Sequence, residues 1–308
     1  MSDSSTAPAP TAETRSGPPP SPRKKIKELE AMVSDVIVET HDTVTLVFFT
    51  GNERLEYEPG HFLTIDPHQF EGLERFIAYF EDQKGKREPP RAYSMSSSPL
   101  ERYLAVTVKE ERYVRGATKY PPLLSPLLVK RTPRGQRVSL VGFTGPYVLP
   151  HDVGARTDHL VHVVAGSGAV PNFAMLKHAL ALHPELRHTF VYSNKTWDDV
   201  IFRHQLADLR ERHPDRLRVV HALTREENAG RHGPDVRGGR VTPELLREVI
   251  PDPTACLVYA CGPAIGPWDR AAAKAKGEAP QPRFLEAAVT ALDAIGVPKE
   301  RVRTESYG

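Results

Sequence analysis

The chain has 308 residues, of which 39% are hydrophobic and 26% are charged, and its formal net charge is +2. This composition suits a soluble globular protein, and the length is sufficient for two domains of ordinary size. The net charge says little about partners, and no apolar run reaches the roughly 20 residues that a membrane-spanning helix needs.

Cysteine content restricts the metal chemistry that the chain can carry. Only Cys256 and Cys261 are present, both in or beside one predicted strand. An iron–sulfur cluster usually takes about four thiolates, and neither cysteine has histidines at zinc-site spacing, so no metal is expected. The N-terminus lacks the apolar region of a secretory signal, and two thiols suit a reducing compartment, so we expect a cytoplasmic protein.

The first half of the chain predicts a tail followed by a β-domain. Residues 1–26 are rich in Pro, Ser, Ala and Thr, which indicates a disordered tail. Residues 27–150 contain short β-rich runs with turns between them and no strong helix, which predicts an antiparallel β-barrel domain. The charged segment 67–90 is expected to be a surface insertion, partly helical over 73–80. The predicted strands are 33–39, 43–49, 62–65, 93–96, 104–109 and 137–141.

The pattern changes after Pro150. The mostly apolar stretch 160–165 predicts a strand of a parallel sheet that is buried on both faces. Strands and helices alternate from there onward, which predicts a doubly wound α/β domain over 151–308. A second insertion, carrying Trp268, is expected over 267–282. The further predicted strands are 189–192, 217–222, 255–260 and 302–304, and the predicted helices begin after 168 and cover 198–213, 242–249 and 283–295.

A glycine-containing turn lies between the first parallel strand and its helix. Gly166-Ser167-Gly168 would present backbone N–H groups at a helix N-terminus, where a pyrophosphate binds favourably. The third glycine of a full dinucleotide motif is replaced by Pro171, so a purely structural turn stays open on these residues alone.

Three motifs in this order resemble those of the ferredoxin–NADP reductase superfamily, over residues 32–308. Arg91-Ala92-Tyr93-Ser94 resembles its flavin motif, the segment from Gly166 to Pro171 its GxGxxP turn, and Cys261-Gly262-Pro263 its CGP motif. The ending Thr304-Glu305-Ser306-Tyr307-Gly308 is similar to the end of the reductase portion of oxygenase reductases of the phenylacetyl-CoA epoxidase type. The resemblance implies an FAD domain followed by an NAD(P) domain.

The resemblance implies roles for the first motif. Arg91 would pair with a phosphate of FAD, because a planar guanidinium suits bidentate binding. Tyr93 would pack against the isoalloxazine ring, and Ser94 would hydrogen-bond near N5, the atom that receives hydride.

Other FAD contacts are implied by position. Val108 and Lys109 would run alongside the cofactor, and Ser125 would touch its pyrophosphate. Pro121-Pro122, however, stand where the family usually has glycine.

The resemblance also implies a nicotinamide site. Cys261 would lie near nicotinamide C4, with Glu305 and Tyr307 close to both rings; a small buried apolar side chain is the alternative interpretation of Cys261. The residues expected to bind the dinucleotide at the two later motifs are Gly166, Ser167, Gly168, Pro171, Gly262 and Pro263.

NADPH is favoured over NADH. Thr224-Arg225-Glu226 resembles the element that binds the 2′-phosphate of NADPH, and Ser193, Lys195 and Arg203 are expected to add hydroxyl and cationic contacts. No acidic residue directly follows the second parallel strand to hold a free ribose hydroxyl, although Asp198 and Asp199 are near, so NADH stays possible.

The function expected is that of an FAD-dependent NAD(P)H reductase. Because the sequence stops at Gly308 without the iron–sulfur domain of several relatives, we expect the electrons to pass to a separate ferredoxin-like or oxygenase partner. The alternatives are direct reduction of flavins, quinones or ferric chelates, and a non-catalytic electron-relay subunit.

A basic segment bears on the partner. Residues 109–137 contain eight Lys and Arg residues against only Glu110 and Glu111. Either a solvated face or a docking surface for an acidic redox protein would account for this bias.

Overall fold

A computed structural model describes residues 27–51, 55–115 and 120–307. The expected disordered tail lies outside these ranges. The first half forms a six-stranded antiparallel sheet in the order β4-β3-β6-β1-β2-β5. A further bridge between Met95 and Val106 joins the end of β4 to β5, so the sheet closes on itself as predicted. Its strands are β1 (Lys27–Thr40), β2 (Thr43–Phe49), β3 (Phe62–Ile65), β4 (Arg91–Ser94), β5 (Leu104–Lys109) and β6 (Arg137–Thr144).

Strand β1 is longer than its sequence pattern predicts. Its first six residues pair with β6, from Lys27 opposite Gly142 to Met32 opposite Arg137. Charged residues interrupt the apolar pattern here, so tertiary pairing and not local propensity sets where the strand begins.

Two helices accompany the barrel, α1 (Glu74–Lys84) and α2 (Ser125–Lys130). Helix α1 lies in the charged segment 67–90, as expected, and extends four residues beyond the predicted range. It buries Ile77 and Phe80 and ends at Gly85, whose φ of 63° places it in the left-handed region that terminates helices.

The second half is a parallel six-stranded sheet in the order β10-β9-β8-β7-β11-β12, with apolar clusters on both faces. The predicted doubly wound arrangement is confirmed. Its strands are β7 (His159–Ala165), β8 (Arg187–Asn194), β9 (Leu217–Leu223), β10 (Val236–Gly238), β11 (Leu257–Pro263) and β12 (Val302–Tyr307). Its helices are α3 (Val153–Arg156), α4 (Ala169–Leu182), α5 (Arg203–Arg212), α6 (Pro243–Val249), α7 (Pro267–Lys276) and α8 (Phe284–Ala294).

Two differences from the sequence expectations have local causes. Helix α5 starts at Arg203 and not at Asp198, because Thr196 and Asp199 cap a separate 3₁₀ turn. Strand β10 was not predicted, because it is three residues long and buries only Val236.

The strand order of the parallel sheet reverses between β7 and β11. Ligands of doubly wound sheets bind at the carboxyl ends of the strands at such a point. The barrel lies against this same edge, and the contacts include a hydrogen bond of 2.9 Å from the Tyr147 hydroxyl to Asn172 Oδ1 and an ion pair of 2.6 Å between Lys177 and Glu101.

Candidate active site

A cleft of about 1080 Å³ lies between the barrel and the parallel sheet. Most of the residues that the sequence motifs singled out line it, although they come from distant parts of the chain. They are Arg91, Tyr93, Ser94, Val108, Lys109, Ser125, Gly166, Ser167, Ser193, Lys195, Thr224, Arg225, Pro263, Glu305 and Tyr307. Four further residues of these motifs do not line the cleft and are buried beside it; they are Gly168, Pro171, Cys261 and Gly262.

The last strand connects the two halves of the cleft. The Tyr307 hydroxyl donates a hydrogen bond of 2.5 Å to Ser94 Oγ in β4. Since Ser94 accepts this bond, its own O–H stays available for another acceptor. Burial raises the pKa of Tyr307 well above its ordinary value, so the phenol keeps its proton.

Glu305 and Cys261 lie side by side on β12 and β11, where they are register partners. Burial raises the pKa of Glu305 to about 7, and its Oε2 has no hydrogen-bond partner among the described residues. Cys261 is fully buried, and burial, followed by the nearby Glu305 charge, raises the pKa of its thiol well above the ordinary value. Cys261 is therefore a neutral thiol beneath the cleft, beside a carboxyl group that titrates near neutrality.

The glycines of the turn before α4 have different roles. Gly166 has a φ of 53°, and a Cβ added to it would meet no atom within 4 Å, so its backbone faces open space. A Cβ on Gly168 would clash with the carbonyl group of Cys261 and lie 2.8 Å from the backbone nitrogen of Gly262. Gly168 therefore lets the turn pack closely against β11.

Gly262 makes room for an aromatic side chain that the sequence did not reveal. A Cβ at Gly262 would lie 2.5 Å from Cδ1 of Phe284, which begins α8 and lines the cleft. Phe284 is far from Gly262 in the sequence, so no local motif connects the two.

One end of the cleft is cationic. Lys195 and Arg225 line it, and the backbone N–H of Arg225 donates to the Lys195 carbonyl oxygen at 2.8 Å, which joins the loops after β8 and β9. Arg240 and Arg283 also line the cleft and were not predicted as site residues. A sequence signal for Arg240 exists, since it directly follows Gly239, whose φ of 105° allows a sharp turn after β10.

The acidic residues near this end bond to protein groups. Asp199 Oδ2 accepts hydrogen bonds from the backbone and hydroxyl of Thr196 at 3.0 and 2.8 Å. Glu226 accepts from the Trp197 N–H at 2.9 Å and pairs with Arg231 at 2.7 Å. Arg203, expected to help bind a phosphate, does not line the cleft and instead donates to the Trp197 carbonyl oxygen at 3.2 Å.

On the barrel side, Lys109 and Ser125 are held by protein partners. Lys109 Nζ lies 2.8 Å from Asp42 Oδ1. Burial raises the pKa of Asp42, but the hydrogen bond and charge of Lys109, together with hydrogen bonds from Thr40 and Thr43, outweigh this and lower it to about 2. Ser125 Oγ accepts from the Glu111 N–H at 3.1 Å. Both residues line the cleft in fixed positions.

Neither a metal centre nor a membrane span emerges from the ranges that the structure describes. Within them, no group of three or more His, Cys, Asp or Glu side chains is placed to hold a metal ion. No helix in the same ranges is long and apolar enough to cross a bilayer.

Comparisons with known proteins agree with this geometry. Residues 163–265 match the family model of the oxidoreductase NAD-binding domain. The chain is 32% identical over 286 residues to the 3-ketosteroid-9-alpha-monooxygenase ferredoxin reductase component of Mycolicibacterium smegmatis, covering 91% of this chain and 65% of that protein. It is 25% identical over 288 residues to a component of the 1,2-phenylacetyl-CoA epoxidase of Escherichia coli, covering 89% and 66%. The chain thus spans slightly less than two thirds of these relatives.

Solved structures share the fold. The FAD/NAD-binding domain of nitric oxide dioxygenase from Vibrio cholerae matches with a TM-score of 0.66 at 22% identity, covering 91% of this chain and 98% of that one. Ferredoxin-NADP+ reductase from Plasmodium falciparum matches with a TM-score of 0.62 at 17% identity, covering 91% and 96%. These matches show that residues 163–265 contain an oxidoreductase NAD-binding domain and that the chain shares the two-domain fold of the solved structures.

Proposed function

We propose that this chain is an FAD-dependent NAD(P)H oxidoreductase that takes hydride from NADPH, or from NADH, and passes electrons to a separate ferredoxin-like or oxygenase partner. The observation that carries this proposal is the single cleft lined by the flavin motif of the barrel and by the dinucleotide turn of the parallel sheet. We also propose 27–150 and 151–308 as the FAD and NAD(P) domains.

The residues of the cleft fit FAD. Arg91 offers positive charge for its phosphates, and Tyr93 and Ser94 line the cleft from the same strand. The open backbone at Gly166 would offer N–H groups to the pyrophosphate of the nicotinamide dinucleotide. Glu305 Oε2 is a buried polar atom that a ligand group would satisfy. FAD, when bound, would supply the exchange between a two-electron hydride and single electrons.

The protein groups around the flavin position have defined protonation states. Ser94 is held by Tyr307 with its own proton free to donate, and burial keeps the Cys261 thiol neutral. Glu305 can hold or release a proton near pH 7. We propose Ser94, Cys261, Glu305 and Tyr307 as the residues that surround the site of hydride transfer.

The cationic end of the cleft supports NADPH as the preferred donor. Lys195, Arg225 and Arg240 would neutralise a 2′-phosphate. The Thr224 hydroxyl lines the same end but donates to the Asn194 carbonyl oxygen at 3.2 Å. Of the two carboxylates that would favour the free 2′-hydroxyl of NADH, Asp199 lines the cleft but bonds to Thr196. Asp198 does not line the cleft and lies 3.5 Å from Arg203.

An acidic partner is supported by part of the basic segment. Lys109 pairs with Asp42, and Lys130 lies 3.3 Å from Glu110, so both are compensated. Arg112 and Arg115 are exposed and flank two exposed apolar side chains. A mixed cationic and apolar patch of this kind suits transient docking of an acidic protein. We further propose a cytoplasmic location, which the unpaired Cys256 and Cys261 support.

Anaerobic titration of the FAD-loaded protein tests the proposed activity. We expect the flavin absorbance to bleach with NADPH at lower concentrations than with NADH. A protein that fails to take up FAD, or a bound flavin that neither nucleotide reduces, would contradict the proposal. Dependence of turnover on added ferredoxin would then separate a partner-linked reductase from a reductase of small acceptors.

A further inference from the structure

A carboxylate outside the cleft is buried in the charged segment 67–90. Glu88 is only 1% exposed, although it is a charged residue. Its Oε2 accepts a hydrogen bond of 2.6 Å from the Arg91 guanidinium, and its Oε1 accepts from Lys84 Nζ. Burying a carboxylate is unfavourable unless cations and hydrogen bonds compensate it, and here two cations do so.

Contacts remote from the cleft fix Glu88 in place. Its backbone N–H donates to Glu81 Oε1 at 2.8 Å, and that oxygen also lies 2.9 Å from His68 Nε2. Lys84 Nζ sits over the rings of Phe80 and Tyr120, at 4.9 and 4.7 Å from their centroids. Helix α1 therefore holds the carboxylate through both its backbone and its ion-pair partner.

The other partner of Glu88 belongs to the cleft. Arg91 lines the cleft, and besides its bond to Glu88 it donates to the Pro89 carbonyl oxygen. A guanidinium carries five N–H donors, so these two contacts orient the group and leave donors for a ligand. An arginine fixed in this way loses less conformational freedom when it binds a phosphate than a mobile one does.

We propose that Glu88 is a positioning residue for the cofactor: it orients Arg91 toward the FAD pyrophosphate, and the segment 67–90 supplies the scaffold that holds it. The inference rests on the proposed FAD site. It gives the segment 67–90, expected only to be a surface insertion, a role in the proposed cofactor site.

The test measures FAD affinity of the apoprotein by quenching of flavin fluorescence, without turnover. We expect Glu88→Gln to weaken FAD binding by about tenfold, since Lys84 and Arg91 would lose the anion that holds them and repel each other. Glu74→Gln on the exposed face of α1 makes the same charge change and should leave the affinity within about twofold. Wild-type affinity in Glu88→Gln would overturn the inference.

A double-mutant cycle separates positioning from general damage. In an Arg91→Ala background, Glu88→Gln should cause no further loss of FAD affinity, because its effect passes through Arg91. Equal losses in both backgrounds would overturn the inference. If Glu88→Gln does not fold, Glu88→Asp takes its place, because the shorter side chain withdraws the carboxylate from Arg91. A loss of FAD affinity only in the presence of Arg91 would again support the inference, and equal losses in both backgrounds would again overturn it. A wild-type protein that does not bind FAD would instead refute the proposed function.

Discussion

Glu305 carries a proton at a pH where most carboxyl groups have lost theirs. Burial without a hydrogen bond to Oε2 raises its pKa to about 7, while the unfolded chain would titrate near the ordinary value of 4.5. Between these values the folded protein binds the extra proton, so this residue lowers the stability of the fold as the pH rises from 4.5 through 7. The ionised form of Glu305 is therefore the form that destabilises the folded protein.

Because Glu305 titrates near pH 7, Glu305→Gln should remove a pH dependence of the rate of flavin reduction. In the wild-type protein we expect the rate of flavin reduction by NADPH to change with an inflection at a pH of about 7, and in Glu305→Gln we expect no inflection there. Stopped-flow measurements from about pH 5.5 to about pH 8.5, which bracket this pKa, check the expectation. An unchanged profile in the variant would assign the titration to another group.

Arg240 should determine which nicotinamide is used. Arg240→Ala removes a charged donor from the cationic end of the cleft, worth about 1.5–3 kcal/mol for a hydrogen bond to a charged group. We therefore expect KM for NADPH to rise about 10- to 100-fold and KM for NADH to stay within about twofold. Arg210→Ala, an exposed arginine on α5, is the matched control. A similar rise for both nucleotides would show that Arg240 does not contact the 2′-phosphate.

The motif residues could be predicted because their signals are local. Arg91, Tyr93 and Ser94 lie within four consecutive residues, and Gly166 follows a strongly apolar strand. Phe284 was missed as a functional residue because its contact with Gly262 joins segments far apart in sequence. Glu88 and Arg240 were missed because a single charged residue in a loop does not by itself indicate a site.

At the scale of elements, β7 and β8 contain buried histidines that the cleft does not use. His162 is fully buried, both of its ring nitrogens lack hydrogen bonds among the described residues, and its ring stacks on His188 at 6.1 Å. Burial, followed by the neighbouring His188 and His159, lowers the pKa of His162 well below its ordinary value. Burial, followed by the charge of Arg216, lowers the pKa of His188 to about 3. Below the ordinary histidine pKa of 6.5, His162 and His188 therefore gain protons in the unfolded chain but stay neutral in the folded protein over a wide pH range.

This predicts acid sensitivity of the parallel sheet. As the pH falls below about 6.5, the unfolded chain gains protons that the folded one cannot bind, and each such histidine lowers the stability by up to about 1.4 kcal/mol per pH unit. His162→Leu should gain stability relative to wild type as the pH falls, with a larger margin at about pH 5.5 than at about pH 8. Urea unfolding at both pH values measures this; an equal difference at both would rule out the histidine as the cause.

Apolar periodicity predicted which strands and helices form better than it predicted the residues at which they begin. The strands of the barrel and the alternation after residue 150 were predictable from apolar periodicity. The early start of β1 depends on pairing with β6, and the late start of α5 depends on the cap formed by Thr196 and Asp199.

Across the whole molecule, charge is distributed so that a cationic patch at Arg112 and Arg115 is exposed beside the barrel. Charge reversal in Arg112→Glu with Arg115→Glu should slow reduction of an acidic ferredoxin at least about tenfold at low salt, because attraction becomes repulsion. The rate of flavin reduction by NADPH should not change. Arg210→Glu on α5 serves as control, and stopped-flow rates at several salt concentrations are the measurement. A difference in the rate of ferredoxin reduction between wild type and variant that is present at low salt and disappears at high salt would support docking at this patch. Equal rates at low salt would contradict docking there.

The last strand has a consequence for proteins built from this fold. Since β12 ends with Tyr307 bonded to Ser94, any polypeptide joined after it starts at the rim of the cleft. A carrier module attached there would be tethered at an effective concentration of about a millimolar with a short flexible linker. Fusion after Tyr307 would thus make the encounter between the carrier module and the cleft intramolecular. An affinity tag fused after Tyr307 would occupy the space beside the cleft that such a carrier needs.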